Sequence, residues 1–306
     1  MTALRWKLPK AADGSPWYSG FNEDRRSYTS HTCTPGLVSS GFGELAAGLF
    51  WPDDAKVLVM WGYYDESGEY DQTGNLLNMT VGGCFAPLDA WKTFDAQWSA
   101  ALAAEGLSYF HMTDFEAWKP PFDFALPDGN RDRARHNRLL NTLLDIMLAH
   151  VDGFWGFGAV SMFDPAKPEL THELLMEDCV GGAIKNAVLE VADFYGEPLN
   201  LVFGKQKHFG EGKIRRYIEF YDFGDAKGRI KDFTMSDPKS KSPLQAADIF
   251  AYEMARAQRS GRPERYPFQR IVDGCKATNR KLIMGWGPIR SKRLNLGASS
   301  GPVRRP

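Results

Sequence analysis

Of the 306 residues only four are cysteine, Cys33, Cys84, Cys179 and Cys275, and no two form a C-x-x-C pair. That spacing argues against a zinc ribbon and a disulfide framework, and makes the four packing residues with free thiols. An excess of charge of either sign is also lacking. There are 37 Lys and Arg against 38 Asp and Glu, a net charge of -1, so the molecule as a whole is not a polyelectrolyte that coats nucleic acid or an anionic membrane. The apolar runs, such as 57–60, fall far short of the ~20 residues of a membrane span, and the opening Met-Thr-Ala-Leu-Arg-Trp-Lys is not followed by an apolar signal core. The expected location is cytoplasmic, with no membrane partner. There is no G-x-x-x-x-G-K-S/T phosphate loop, no G-x-G-x-x-G and no H-E-x-x-H, which removes sequence support from nucleotide-binding and zinc-protease chemistries.

What is present is an ordinary globular composition, 43% hydrophobic and 13% aromatic, enough for one sizeable core. Residues 1–55 mix Gly, Ser, Pro, Asp and aromatics without period and read as a loop-rich N-terminal arm, with Trp6, Trp17, Tyr18 and Phe21 as its packing residues. A strand is expected over 56–68, closing in the acidic turn Asp65-Glu66-Ser67-Gly68, with a partner over 76–85 that Gly82 and Gly83 weaken. Leu88, Trp91, Phe94, Trp98 and Leu102 stand at helical spacing before Gly106, followed by a short strand over 107–112. Helices are expected over 130–151, 170–195 and 212–221, and strands over 154–163, 198–203 and 229–235. Ser242-Pro243 opens the last strong helix, Ser as a cap and Pro in the first turn, where its missing N–H costs nothing. A strand pair followed by alternating strands and helices predicts one mixed α/β sheet with helices on its faces, over residues 56–262. Residues 263–306 read as a basic C-terminal extension: from Asp273 onward, eight basic residues (Lys276, Arg280, Lys281, Arg290, Lys292, Arg293, Arg304 and Arg305) face Asp273 alone. Such a tail on an acidic body can hold a phosphate backbone, or can simply be solvated.

Carboxylates in unfavourable places are the main chemical signal. Asp65 and Glu66 are adjacent acids at a strand end, where they repel each other unless a cation joins them. Strand alternation lets only one face a given site, and Asp65 is the expected inner ligand, with Glu66 joining from the turn or through water. The alternative is an acidic turn. On the last helix Leu244, Ala247, Asp248, Ala251 and Ala255 share a small, apolar face. Asp248 is the odd member, because an ionised carboxylate aimed at a core needs a metal or a charged partner, or must reach solvent at the stripe's edge. Gln245 is placed to orient substrate or a ligand-bound water. His111 and Asp114, in Phe-His-Met-Thr-Asp, are candidates for the sheet edge, or else a structural histidine and a helix cap. Lys205, Lys207, His208, Lys213, Arg215 and Arg216 form a basic patch that could clamp a phosphodiester or serve as a solvated face. Trp61, Trp91, Trp98 and Trp155 fit core spacing better than a base-stacking platform.

A strand ending in Asp-Glu-Ser-Gly, a middle His-Met-Thr-Asp and a late Ser-Pro-Leu-Gln-Ala-Ala-Asp helix resemble the domain of unknown function 3800 family of bacterial and phage proteins over residues 57–260. The resemblance implies a ribonuclease-H-like fold whose sheet brings Asp65 and Asp248 together at a divalent-metal site. Asp65 and Asp248, with Glu66 and Asp114, would hold Mg²⁺ or Mn²⁺ through hard oxygen ligands, and Lys205, Lys207, Arg215, His111 and Gln245 would bind substrate. The implied activity is a metal-dependent nuclease cleaving phosphodiester bonds of DNA or RNA. One departure stands out: where the family often has an acid at the end of a central strand, this chain has Gly204-Lys205-Gln206. Another acid then substitutes, or the domain is a catalytically incomplete module that binds nucleic acid or a protein partner. A hydrolase of a small phosphorylated metabolite is a third possibility.

Overall fold

The computed structural model describes residues 59–70, 76–160, 179–185, 187, 192, 198–205, 210–221, 228–257 and 265–288. All lie in the compact unit Leu58–Pro306, one of two into which the chain divides, the other being Met1–Val57. The expected arm 1–55, with its aromatics and Cys33, falls outside the described residues, as do Lys207, His208 and the basic positions from Arg290 onward.

The elements in chain order are β1 (Met60–Tyr70), β2 (Leu76–Pro87), α1 (Leu88–Ala104), α2 (Met112–Glu116), α3 (Arg133–His150) and β3 (Gly153–Val160), then β4 (Leu199–Gly204), α4 (Glu211–Tyr221) and β5 (Ile230–Ser236). A 3₁₀ turn (Pro238–Ser240), α5 (Ser242–Ala257), α6 (Tyr266–Thr278) and β6 (Lys281–Pro288) follow; residues 179–185 are also helical. The strands form one mixed sheet in the order β5-β4-β1-β2-β3-β6. Only β2 is antiparallel to its neighbours; β1, β4 and β5 pair in parallel, as do β3 and β6. The protein is therefore a mixed α/β fold, as the alternation of elements predicts. No helix among the described residues is long and apolar enough to cross a membrane.

Strand alternation sends side chains to both faces of the sheet, and each face has its own helices. On one, Trp91, Phe94, Trp98, Leu143, Met147, Phe154, Phe250 and Ile271 make a core that Trp61 and Tyr63 join from β1. On the other, Met60, Tyr64, Phe85 and Trp155 pack under Ile184, Phe203, Ile214 and Tyr217. Burying each of the larger side chains contributes roughly 1.5 to 3 kcal/mol. The tryptophans singled out above are core residues, Trp61 only partly buried, and Cys84, Cys179 and Cys275 are buried free thiols.

Several local expectations are corrected. Asp65-Glu66-Ser67-Gly68 is not a turn: β1 stays in register with β2 through Glu69↔Asn78, so the segment continues the strand. Residues 107–112 are not a strand, because the Phe110 and Met112 N–H groups donate to side chains of α5 at 2.9 and 2.6 Å instead of to a neighbouring strand. Gly82 does not weaken β2. A Cβ there would stand 2.7 Å from the Ala251 backbone, so its absence lets α5 lie directly on the sheet. The Ser242 hydroxyl donates to the Asp95 carboxylate rather than capping its helix. Within the segment read as a basic extension, α6 adds Phe268, Ile271, Val272 and Cys275 to the core and β6 extends the sheet beside β3.

Candidate active site

β1 runs between β2 and β4, but its pairing with β4 stops at Tyr64↔Phe203. Asp65 is the first residue past that point, beside Gly204, the last residue of β4. A Cβ on Gly204 would overlap Asp65 Oδ1 and would lie 3.2 Å from Pro238 Cγ. The Asp65 carboxylate thus occupies the room a side chain at 204 would take. Across the ladder Asp65 pairs with Gly82, the residue on which Ala251 of α5 rests. Asp248 lies one helical turn before Ala251 and comes within electrostatic reach of Asp65. Thr80 fastens α5 by donating to Ala251 O at 2.8 Å.

Asp65, Glu66 and Asp248 act on one another electrostatically, and each is shifted toward its neutral form. Burial foremost, then the charge of Glu66 and a hydrogen bond with its side chain, push Asp65 well above the usual carboxylate range; the Glu66 N–H, 3.0 Å from Asp65 Oδ1, opposes this. Burial lifts Glu66 to about 7, helped by the charge of Asp248 and opposed by the bond with Asp65 and by its own backbone. Burial lifts Asp248 to about 7 as well; the charges of Asp65 and Asp114 add to this, while His111 and the Met112 N–H oppose it. Two carboxyl side chains can share a hydrogen bond only if one keeps its proton, so the cluster retains protons that isolated carboxylates release. Glu66 Oε2 is buried without a hydrogen-bond partner. Among the described residues no ion pair joins Lys or Arg to Asp65, Glu66 or Asp248.

The other predicted residues divide. His111 is the N-cap residue of α2, and its Nδ1 lies 2.8 Å from Asp114 Oδ2, while Lys119 Nζ stands 3.7 Å from Asp114 Oδ1. Burial is the largest single influence on Asp114 and raises it, but the His111 bond and the charges of His111, Lys119 and Lys239 together outweigh it and hold the carboxyl below its ordinary range. His111 and Asp114 therefore sit beside Asp248, as one unit. Gln245 is committed elsewhere: its Oε1 accepts from Trp98 Nε1 and Phe110 N, both at 2.9 Å, and its Nε2 donates to Lys239 O at 3.1 Å. It fastens α1, the 107–111 segment and the 3₁₀ turn to α5. Lys205 is exposed directly after Gly204. Arg215, on α4, pairs with Glu211 at 3.0 Å and lies 5.6 Å over the Phe233 ring on β5. The small apolar stripe on α5 proves to be part of a helix buried nearly all round, from Ser242 to Ala251 and again from Glu253 to Ala255.

Two features had little sequence signal. Lys239, in the 3₁₀ turn, stacks its ammonium 4.5 Å from the Tyr109 ring. A cavity of about 290 Å³ adjoins it, lined also by Asp95, Trp98, Ser108, Ser242 and Gln245.

The donor chemistry of the acid cluster fits a hard divalent cation: buried carboxylate oxygens, mutual repulsion and an unpartnered oxygen. Among the described residues, however, no three His, Cys, Asp or Glu side chains converge in an arrangement that could hold a metal ion. No family model matches the chain, and comparison with curated proteins finds no match.

Proposed function

We propose that the protein is a divalent-metal-dependent phosphodiesterase acting on nucleic acid, with a ribonuclease-H-like domain. The observation that supports this reading is that the buried carboxyls of Asp65, Glu66 and Asp248 act on one another and are all raised, while among the described residues no Lys or Arg forms an ion pair with any of them. A purely structural cluster of this kind costs stability and returns none, whereas a cation would offset the repulsion. The sheet agrees with the reading: an antiparallel meander β1-β2-β3 joined through β1 to parallel β4 and β5.

Asp65 and Asp248 would hold Mg²⁺ or Mn²⁺, with Glu66 joining from the same strand. Such an ion supplies a lowered pKa for bound water and neutralises charge developing on the phosphodiester oxygens. The protein's own groups do the rest. The Met112 N–H fixes one oxygen of Asp248 at 2.6 Å, which orients the carboxylate. Asp114 holds Nδ1 of His111 at 2.8 Å, which orients the imidazole and leaves Nε2 to take or give a proton beside the cluster. The burial of Asp65 and Asp248 limits the screening of their charges by water.

A second reading is the catalytically incomplete module, favoured by the lack of three converging ligands among the described residues and by the occupied space at Gly204. Titration of Mn²⁺ into wild type, Asp65→Asn and Asp248→Asn, read by thermal melting and by cleavage of labelled DNA and RNA, separates the two. The nuclease reading expects metal to raise the wild-type Tm and to support cleavage, both lost in the variants. Nucleic-acid binding without metal response or cleavage gives the protein to the second reading.

A further inference from the structure

We infer that Lys119 and Lys239 form the phosphate-binding rim of the acid cluster, an inference that rests on the proposed nucleic-acid substrate and assigns its backbone to residues outside the basic patch at 205–216. The two lysines are far apart in sequence, yet both act on the one Asp114 carboxylate, which in turn acts on Asp248. Lys119 Nζ is 3.7 Å from Asp114 Oδ1 and its side chain is 62% exposed. Lys239 is exposed, its ammonium steered by the Tyr109 ring at 4.5 Å.

Both backbones are fixed by hydrogen bonds. Lys119 N donates to Asp114 O at 3.0 Å, and Phe122 N donates to Lys119 O at 2.7 Å. Lys239 N donates to Asp237 Oδ1 at 3.0 Å, and its carbonyl accepts from buried Gln245. The preceding Pro238 touches the point beside Gly204 that Asp65 Oδ1 fills. Lys239 therefore directly follows the residue that packs at the Asp65–Gly204 approach, and it also lines the cavity next to Gln245.

Charge bookkeeping favours an anionic ligand. Asp114 already bonds His111, and the ammonium groups of Lys119 and Lys239 share this one carboxylate. That charge does not enter the cluster, where Glu66 Oε2 stays buried and unpartnered. Exposed ammonium groups beside a set of carboxylates are the arrangement that holds a phosphodiester by its oxygens at the edge of the acids. Arg215 is spent on Glu211 and Phe233, and the rim needs none of the patch it belongs to.

The test uses the full chain and a short fluorescein-labelled DNA duplex, with a single-stranded RNA of the same length in parallel. Binding is followed by anisotropy across a range of salt for wild type, the double variant Lys119→Gln/Lys239→Gln, its Lys→Arg counterpart, and exposed Lys92→Gln as a control. Because both side chains are exposed and Lys239 supports the fold through its backbone, the glutamine pair should fold; a far-UV spectrum and melt check this. Each phosphate contact contributes ~0.9 to the slope of log K against log salt on duplex and ~0.7 on single strand. The double variant should lose about two contacts' worth of slope on whichever acid binds, and on the order of tens of fold in affinity at 0.1 M salt. Arginine should restore most of it, and Lys92→Gln should match wild type. An unchanged slope in the double variant, or no binding of either probe by wild type, overturns the rim. Mn²⁺ melts on the same proteins keep the two claims apart: stabilisation by Mn²⁺ with an unchanged slope retains the acid site and removes the rim, while a reduced slope without stabilisation does the reverse.

Discussion

Replacing Asp248 with Asn should stabilise the metal-free protein at alkaline pH and change it little in acid. Burial, the charge of Asp65 and that of Asp114 move the Asp248 carboxyl to about 7, against the pull of His111 and the Met112 N–H. In the unfolded chain it ionises near 4. The folded pKa is the higher, so between these values the fold keeps a proton that the unfolded chain has released. Stability is full below about pH 4 and is lost as the pH rises through about 7. Three pH units at ~1.4 kcal/mol each give a penalty of roughly 4 kcal/mol by pH 8. Part of it belongs to the coupled cluster rather than to Asp248 alone, which brings the expected gain for Asp248→Asn to roughly 2 to 4 kcal/mol. The amide keeps a carbonyl oxygen for the Met112 N–H, now accepted at 2.6 Å, so the start of α2 stays tied to α5. Urea denaturation in EDTA at about pH 4.5 and about pH 8, with the slopes checked for equality, measures this difference. A loss of several kcal/mol at pH 8, as when a buried ion pair loses one partner, would refute the reasoning, as would an equal change at both pH values.

Other expectations can be tested in the same assay. Glu253 is fully buried, neither oxygen has a hydrogen bond, and burial lifts it to about 7 against the charge of Arg265, whose Nη1 is 3.6 Å away; Glu253→Gln should gain roughly 2 to 3 kcal/mol at pH 8 and little at pH 4.5, since this raised carboxyl too costs stability as pH climbs. Gly82→Ala places a methyl 2.7 Å from the Ala251 backbone, which no rotamer relieves, and should cost at least 1 to 3 kcal/mol while parting Asp65 from Asp248. Gln245→Leu leaves the Trp98 indole N–H and the Phe110 N–H buried and unpaired, an expected loss of roughly 2 to 5 kcal/mol with a lowered urea midpoint. Gly204→Ala forces the Asp65 carboxylate aside; it should cost only about 1 kcal/mol of stability yet reduce any Mn²⁺-induced rise in Tm.

Much of the architecture was legible because it rests on local pattern. Trp91, Phe94, Trp98 and Leu102 declare α1 by spacing, and each is buried. Leu199–Gly204 declares β4 as a continuous apolar run, and all six of its residues are buried. The helix α6 carried the same kind of signal in Phe268, Ile271, Val272 and Cys275, but the basic count of the surrounding segment masked it. Asp65, Glu66 and Asp248 were legible as carboxylates in places where local structure gives them no partner.

Tertiary structure decided what those local signals could not. Whether Asp-Glu-Ser-Gly is a turn or mid-strand depends on β2, which continues alongside it. Whether 107–112 is a strand depends on which acceptors its N–H groups reach, and Gln245 and Asp248 reach them first. The sequence alone determined that Gly204 carries no acid; only the approach of β1 to the end of β4 shows that the Asp65 carboxylate fills that space. The gathering of Lys119 and Lys239 around Asp114 is likewise a product of packing. Contacts across more than a hundred residues have no period for a sequence to display, because they are set by how the faces of helices and strands fit together once formed.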